Sequence, residues 1–275
     1  MEQINQYLKK NNKTKFPKIM GVLNITPDSF SDGGDFIDFN SAIDFASEMI
    51  DYGVDIIDIG GESTRPGADT IDDKTELQRV EPIVKEIRKL NDTVKISIDS
   101  TKFKVVQRCL DLGINIINDI SGTQNDIRLL ELAKLYKSGY VIMHSKGTPK
   151  TMQLNPTYEN VVNEVYNFLE EKTNLAKSYN INEIYIDVGI GFGKSLEHNL
   201  ELINNIEKFN MIGETLLGIS RKSFINKLLN IGNPKDRDLP TLIIHTLLLN
   251  KNIDVIRVHN VKEYRTLKTL YEYID

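Results

Sequence analysis

Carboxylate, amide, guanidinium and imidazole side chains recur at the ends of this chain's apolar runs. The runs are Met20–Asn24, Val54–Gly60, Val94–Asp99, Ile114–Asp119, Tyr140–His144, Ile184–Asp187, Thr215–Arg221 and Val255–His259. A strand interior excludes such groups, because burying a neutral polar group without a partner costs roughly 2–7 kcal/mol. One at a strand end is an accident; a series at the same end points to a site. Asp99, Asn118 and Asp187 stand at the ends of the third, fourth and sixth runs. Two carboxylates and an amide that converge form a hydrogen-bonding wall for a flat, donor-rich heterocycle, such as the guanidine-like edge of a 2-amino-4-oxo pterin. Each alone could simply cap the helix that follows. Three together favour the wall.

Arg257 and His259 lie two apart on the last run and so face the same side. Arg221-Lys222-Ser223 follows the seventh run and opens a helix. Basic side chains and helix amides after the seventh and eighth strands of a barrel suit an anion, with a structural ion pair as the bland alternative. Gly189-Ile190-Gly191-Phe192-Gly193-Lys194-Ser195 imitates two nucleotide motifs and fits neither. A P-loop needs glycine where Val188 stands, and a dinucleotide fingerprint needs its last glycine where Lys194 stands. The expectation is a bending loop that offers Phe192 to a ligand. The histidines His144, His198, His245 and His259 show no zinc-ligand spacing. Magnesium held by Asn24 together with a substrate diphosphate is compatible with the sequence, since that ion is often held largely by substrate oxygens and water.

The elements that must position these groups alternate with them. Helical periodicity appears over Ser41–Tyr52, Asp73–Leu90, Lys102–Leu112, Asp126–Tyr136, Tyr158–Ser178, Glu197–Lys208, Asp238–Leu249 and Val261–Tyr273, as in the spacing of Ile83, Val84, Ile87 and Leu90. Strand then helix, repeated eight times, predicts a single-domain α/β chain folded as a (β/α)8 TIM barrel, with a doubly wound open sheet as the competing topology. The barrel domain is expected over 18–275, after an N-terminal extension over 1–17. The polar, Gly-rich connections are Thr26–Gly34, Gly61–Lys74, Ser145–Pro156 and Val188–Leu196, all following strands. That is the face on which such barrels carry their chemistry.

Composition narrows the class further. The chain has 275 residues, 40% of them hydrophobic, enough for one large core. A net charge of −5 argues against a nucleic-acid partner. The lysines at 9, 10, 13, 15 and 18 read as a solvated tail rather than a signal peptide. The longest apolar stretch, Leu242–Leu249, is interrupted by His245 and Thr246 and is too short for a membrane span. A single cysteine, Cys109, permits no internal disulfide and suits a cytoplasmic setting.

Two long segments then resemble a known family. Met20-Gly21-Val22-Leu23-Asn24-Ile25-Thr26-Pro27-Asp28-Ser29-Phe30-Ser31-Asp32-Gly33-Gly34 and Asp58-Ile59-Gly60-Gly61-Glu62-Ser63-Thr64-Arg65-Pro66-Gly67-Ala68 are similar to the first two signatures of the dihydropteroate synthases. Ile98-Asp99-Ser100, Asn118-Asp119-Ile120-Ser121-Gly122, the Gly189–Lys194 loop, Ser220-Arg221-Lys222-Ser223 and Arg257-Val258-His259 follow in that family's order. The resemblance spans roughly residues 18–262. It implies a pterin-binding barrel that joins 4-aminobenzoate to a dihydropterin diphosphate with loss of pyrophosphate, in folate biosynthesis. It implies that Asp99, Asn118, Asp187 and Lys222 hold the pterin ring and that Arg257 stacks on it. Asn24 would meet magnesium (Mg2+), and Asn24, Thr64, Arg257 and His259 the diphosphate. Phe30, Pro66, Phe192 and Ser223 would frame the aminobenzoate, with Arg65 and Asp32 on closing loops. It further implies sulfonamides as ligands and a homodimer formed through the last helices.

The chain departs from the family pattern in four places. Asp187-Val188-Gly189 stands for Asp-Pro-Gly, His144-Ser145-Lys146-Gly147 for a His-Met-Arg-Gly-like segment, and Asn260 for an aspartate. Arg237-Asp238-Leu239-Pro240-Thr241 also lacks the small residues expected there. Two other functions are compatible with a pterin-binding barrel: a catalytically silent paralogue that binds pterins or a partner protein, and a methyltransferase that acts on a folate with a corrinoid partner.

Overall fold

In the computed structural model the described residues are 15–26, 39–64, 67–147, 152 and 156–274. Eight parallel strands close into a barrel in sequence order, β1-β2-β3-β4-β5-β6-β7-β8. They are β1 (Lys18–Asn24), β2 (Ile56–Gly60), β3 (Lys95–Asp99), β4 (Ile116–Asp119), β5 (Gly139–Met143), β6 (Ile184–Asp187), β7 (Glu214–Leu217) and β8 (Val255–Val258). The helices between them are α1 (Phe39–Asp51), α2 (Asp73–Leu90), α3 (Phe103–Asp111), α4 (Arg128–Tyr136), α5 (Val161–Ser178), α6 (Leu196–Asn204), α7 (Ser223–Leu229) and α8 (Asp238–Leu247), and α9 (Val261–Ile274) follows β8. The expected (β/α)8 barrel is the observed fold.

α2 shows how local sequence sets these elements. Asp72 caps it by accepting from the Thr75 amide at 2.7 Å, which satisfies one of the unpaired amides of a first turn. Val80, Ile83, Val84 and Ile87 then recur at helical spacing, and all are buried against the sheet. At α9 a side chain again caps the start, where Asn260 accepts from the Glu263 amide at 3.4 Å. An asparagine caps as well as an aspartate, so this departure keeps the helix start.

The barrel interior is sorted by height. Its N-terminal end is closed by ion pairs, Lys18 with Glu214 at 3.0 Å and Lys95 with Glu183 at 2.5 Å, and Tyr185 also donates to Glu183. Above them Met20, Ile56, Ile116, Val141, Tyr185, Leu216 and Val255 pack as a separate apolar plug. A larger apolar cluster fills the space between sheet and helices. Phe16 belongs to that cluster and its ring lies tilted against Tyr271 at 5.5 Å, so chain preceding β1 already packs on the barrel. Strands alternate their side chains with period two, so positions beyond the plug on β2, β3, β4, β6 and β8 open toward the C-terminal mouth.

Two boundaries differ from expectation for physical reasons. The run Thr215–Arg221 yields a strand only over Glu214–Leu217, because Gly218 leaves the ladder and Arg221 takes a left-handed φ of 61°. The helix expected to open at Ser223 is short: α7 ends at left-handed Asn230 before a turn of 3-10 helix over Pro234–Arg237, and the helix expected from Asp238 follows.

Candidate active site

At the C-terminal mouth, β8 sends Arg257 across the opening to two carboxylates. Its Nε donates to Asp58 Oδ2 at 2.7 Å and a terminal nitrogen donates to Asp99 Oδ2 at 2.9 Å. Asn118 Nδ2 donates to the same Asp58 Oδ2 at 3.0 Å. Four side chains from β2, β3, β4 and β8 are thus joined in one network. Burial raises Asp99 to about 7, and the neighbouring Asp58 charge pushes the same way. Burial works against the Arg257 guanidinium, yet the charges of Asp58 and Asp99 hold its pKa above the ordinary value. Asp99 Oδ1 is buried and has no hydrogen-bond partner among the described residues. A buried acceptor left without a donor costs of order 1–3 kcal/mol, which a donor-rich ligand would recover.

A second group faces the first from β6 and the loops after β6 and β7. Asp187 Oδ1 accepts from the Gly189 amide at 2.8 Å, and burial raises the Asp187 carboxyl. Lys222, the cap residue of α7, donates to the Ile190 carbonyl, and its ammonium lies 4.7 Å from the centre of the Phe192 ring. Burial lowers Lys222 to about 8, with the Asp187 charge opposing that shift. Gly218 lies between the two groups: a Cβ there would stand 3.6 Å from Asp187 Oδ2 and 3.8 Å from Arg257 Cβ, in ordinary contact with both.

The remaining expected residues lie around this centre. Asn24 ends β1 half-buried, and a Cβ on Gly60 would fill the space between its Oδ1 (3.4 Å) and the Asp99 Cβ (3.7 Å). Half-buried Thr64 sits on the loop after β2. The root of that loop is pinned by Lys102, which donates to Glu62 and to Glu76 at 2.6 Å, and by Arg79, which donates to the Gly61 carbonyl at 2.8 Å. His259 Nδ1 lies 2.9 Å from Ser220 Oγ, which also accepts the His259 amide at 3.2 Å. Ser223 begins α7 and is exposed. Phe30, Asp32, Arg65 and Pro66 lie outside the described residues.

One basic residue leaves the anion set. Arg221 forms a two-pronged pair with Asp238 at 2.6 and 2.7 Å, so the bland ion-pair reading is correct for it. Arg257 is also paired, but with Asp99 at the mouth and Asp58 beneath it.

Two residues emerge only in three dimensions. Asp58 was legible as part of a motif, without a role. Lys194 stands in the sequence only as the residue that breaks the dinucleotide spacing, yet it is 1% exposed. Its Nζ donates to the carbonyls of Gly189 (2.9 Å), Phe192 (3.0 Å) and His144 (3.3 Å) and lies 2.9 Å from His144 Nδ1. Burial pushes Lys194 down and takes His144 to about 3, with the neighbouring lysine adding to the latter. A Cβ on Gly189 would meet the His144 carbonyl at 1.9 Å, and its φ is 67°, so only glycine lets these two loops touch. The Val188 departure is absorbed as a core residue, 1% exposed.

As to metal binding, no group of three or more His, Cys, Asp or Glu side chains among the described residues could hold an ion. The Asn24 carboxamide beside the gap at Gly60 fits a cation that arrives with its own oxygen ligands.

Comparison with known proteins places the chain. Residues 20–259 match the family described as pterin binding enzyme. The chain is 43% identical over 249 residues to the dihydropteroate synthase of Haemophilus influenzae, covering 89% of each chain. A Yersinia pestis dihydropteroate synthase, solved in complex with a sulfonamide drug, superposes with a TM-score of 0.87 at 35% identity over 94% of both chains. A Clostridium difficile dihydropteroate synthase, solved in the presence of pteroic acid, gives 0.86 at 36% identity over 96% of this chain and 98% of that one.

Proposed function

The chain belongs to the pterin-binding enzyme family, and from that membership we infer that it acts as a dihydropteroate synthase. It is a transferase of folate biosynthesis that joins 4-aminobenzoate to 6-hydroxymethyl-7,8-dihydropterin diphosphate, yielding 7,8-dihydropteroate and pyrophosphate. The observation that supports the pterin end of this reading is the buried, unpartnered Asp99 Oδ1 in a wall that also carries Asn118 and Asp187. The N–H groups of a 2-amino-4-oxo ring supply the donors that such a wall lacks.

The residues divide the work as follows. Asp99, Asn118, Asp187 and Lys222 hold the ring, and Arg257 stacks on it. The bond from the pterin methylene to the diphosphate oxygen breaks with both electrons going to oxygen, and the ring nitrogens spread the positive charge left behind. Arg257 and His259 stabilise the departing oxygen, with Thr64 and Asn24 on the diphosphate. Asn24 would hold magnesium, which would supply further charge neutralisation at the diphosphate. The aniline nitrogen of the aminobenzoate, framed by Phe30, Pro66, Phe192 and Ser223, attacks the methylene carbon and loses a proton. The family resemblance assigns Asp32 and Arg65 to the reacting end of the site, Asp32 to stabilising the cation. Exclusion of water protects the cation from capture.

The direct test is pyrophosphate release from the dihydropterin diphosphate with magnesium, with and without 4-aminobenzoate. Release that requires the aminobenzoate and yields dihydropteroate is expected; tight pterin binding without release would leave a silent paralogue instead. A narrower prediction concerns Asp32. Asp32→Ala is expected to lower kcat about 10²-fold while pterin affinity holds, because the carboxylate acts on charge that develops only as the bond breaks. Loss of affinity at unchanged kcat, measured by calorimetry and initial rates, would remove that role.

The enzyme works as a homodimer in the cytoplasm. The lone, buried Cys109 supports the compartment, since it leaves no disulfide to maintain. Leu239, Ile243 and Leu247 support the dimer: they form an exposed stripe at four-residue spacing on α8, whose opposite face buries Thr241 and His245. Replacing Ile243 and Leu247 together with glutamate is expected to give a monomer in sedimentation. A variant that sediments like the unaltered dimer would move the interface elsewhere.

A further inference from the structure

We propose that Asp58 is a positioning residue for this reaction, a carboxylate that fixes the Asn118 amide and the Arg257 guanidinium in the orientations the pterin site requires. This rests on the dihydropteroate synthase reading above. One oxygen, Oδ2, accepts both the Arg257 Nε–H at 2.7 Å and an Asn118 Nδ2–H at 3.0 Å. The first bond sets the plane of the guanidinium. The second commits the Nδ2 end of the asparagine amide to Asp58 and leaves its oxygen for another donor. A single buried acceptor therefore aligns two groups that are expected to touch the ring.

Asp58 itself lies below the ligand's reach. It is 0% exposed, against 9% for Asp99. In the strand register Asp58 pairs with Ser97, whereas Asp99 pairs with Gly60 and Asn118, one side-chain layer nearer the mouth. The second oxygen, Asp58 Oδ1, is buried in that lower layer, and the Ser97 hydroxyl in the same layer also lacks a partner among the described residues. A group so placed acts through its neighbours rather than on the substrate.

Its charge has a second consequence. Asp99 is held near neutral first by burial and then by Asp58, with Glu76 adding, while Arg257 and Lys222 pull the other way. A carboxylate must be ionised to accept from two ring N–H groups. Pterin affinity therefore falls as pH drops through the Asp99 titration, which burial raises most and the Asp58 charge raises further.

The test is the isosteric variant Asp58→Asn, checked for folding by circular dichroism. Titration of the dihydropterin diphosphate by calorimetry across pH is expected to show affinity reduced about tenfold or more at neutral pH. The acid-side loss should shift downward by about one pH unit. Carbon-13 carboxyl resonances of the ligand-free protein should show Asp99 itself titrating lower. Ser97→Ala, in the same layer, should change affinity less than about threefold and leave the Asp99 titration in place. Unchanged affinity, or an Asp99 titration unmoved in Asp58→Asn, overturns the proposal. If unaltered protein fails to bind the dihydropterin diphosphate, the functional reading fails, and the ligand-free titration still decides the role of Asp58. If Asp58→Asn does not fold, Asp58→Ser is read in the same way; failure of both to fold makes Asp58 a folding residue and also overturns the proposal.

Discussion

Arg257→Ala is expected to reduce turnover by about 10³–10⁴-fold and to weaken pyrophosphate binding in the same protein. The guanidinium is asked to do two things: lie against the ring and stabilise the oxygen that departs with the diphosphate. Arg257 bridges Asp58 and Asp99 across the mouth, at 2.7 and 2.9 Å, and so reaches the centre of the site from β8. A lysine could replace the charge but not the planar fork that serves two acceptors at once, so Arg257→Lys should recover little. Removing the arginine also leaves two buried carboxylates without their shared counter-ion. Breaking a buried pair in this way costs about 3–5 kcal/mol, so thermal unfolding must accompany the kinetics. A folded Arg257→Ala protein with turnover within a few fold of the unaltered enzyme would refute the assignment.

Asp99→Asn is the second large effect, and it separates function from stability. The amide brings a donor toward a ring edge that is itself all donors, and pterin affinity is expected to fall about 10³-fold. Stability should move the other way above neutral pH. The Asp99 pKa is about 7 in the folded protein against an ordinary 3.8, so between these values the folded state holds a proton that the unfolded chain releases. Stability then declines as pH rises through that window, because ionisation is opposed by burial and by Asp58. An asparagine does not ionise. Relative to the unaltered protein, Asp99→Asn should therefore melt higher at pH 8 than it does at pH 5. A relative melting temperature that is lower at pH 8 than at pH 5 would show that Asp99 is a net stabilising anion, contrary to this account. A pterin-site carboxylate that weakens the fold when charged is the usual exchange of stability for binding.

Fold and site were unequally legible in the sequence. Strand and helix periodicity, the order of the repeats and the polar ends of the apolar runs are local properties. They sufficed for the barrel, for its active face, and for Asp99, Asn118, Asp187, Lys222 and Arg257 as residues of one mouth. The glycine-rich segment over 189–195 was legible as a loop that is not a nucleotide motif. Its actual service, bringing Phe192 beside Lys222, depends on backbone contact between the β5 and β6 loops, where the Gly189 position is too tight for any side chain.

What only the tertiary structure decided is the partner of each charge. Arg221 ends one strand-like run and Arg257 lies within another, and nothing in the runs themselves tells which charge faces a ligand. Arg221 is paired with Asp238, away from the wall, whereas Arg257 meets Asp58 and Asp99, which lie 199 and 158 residues away in the chain. Asp58 was invisible as a functional residue because its neighbours in sequence are apolar and its two hydrogen-bond partners come from β4 and β8. Lys194 marks itself in the sequence only by breaking the dinucleotide spacing, while its three carbonyl acceptors are assembled by two separate loops. Periodicity records which face a side chain takes, since that is fixed by the backbone repeat. The energy of a buried charge is fixed by what stands within a few ångströms of it, and here barrel closure brings those groups together.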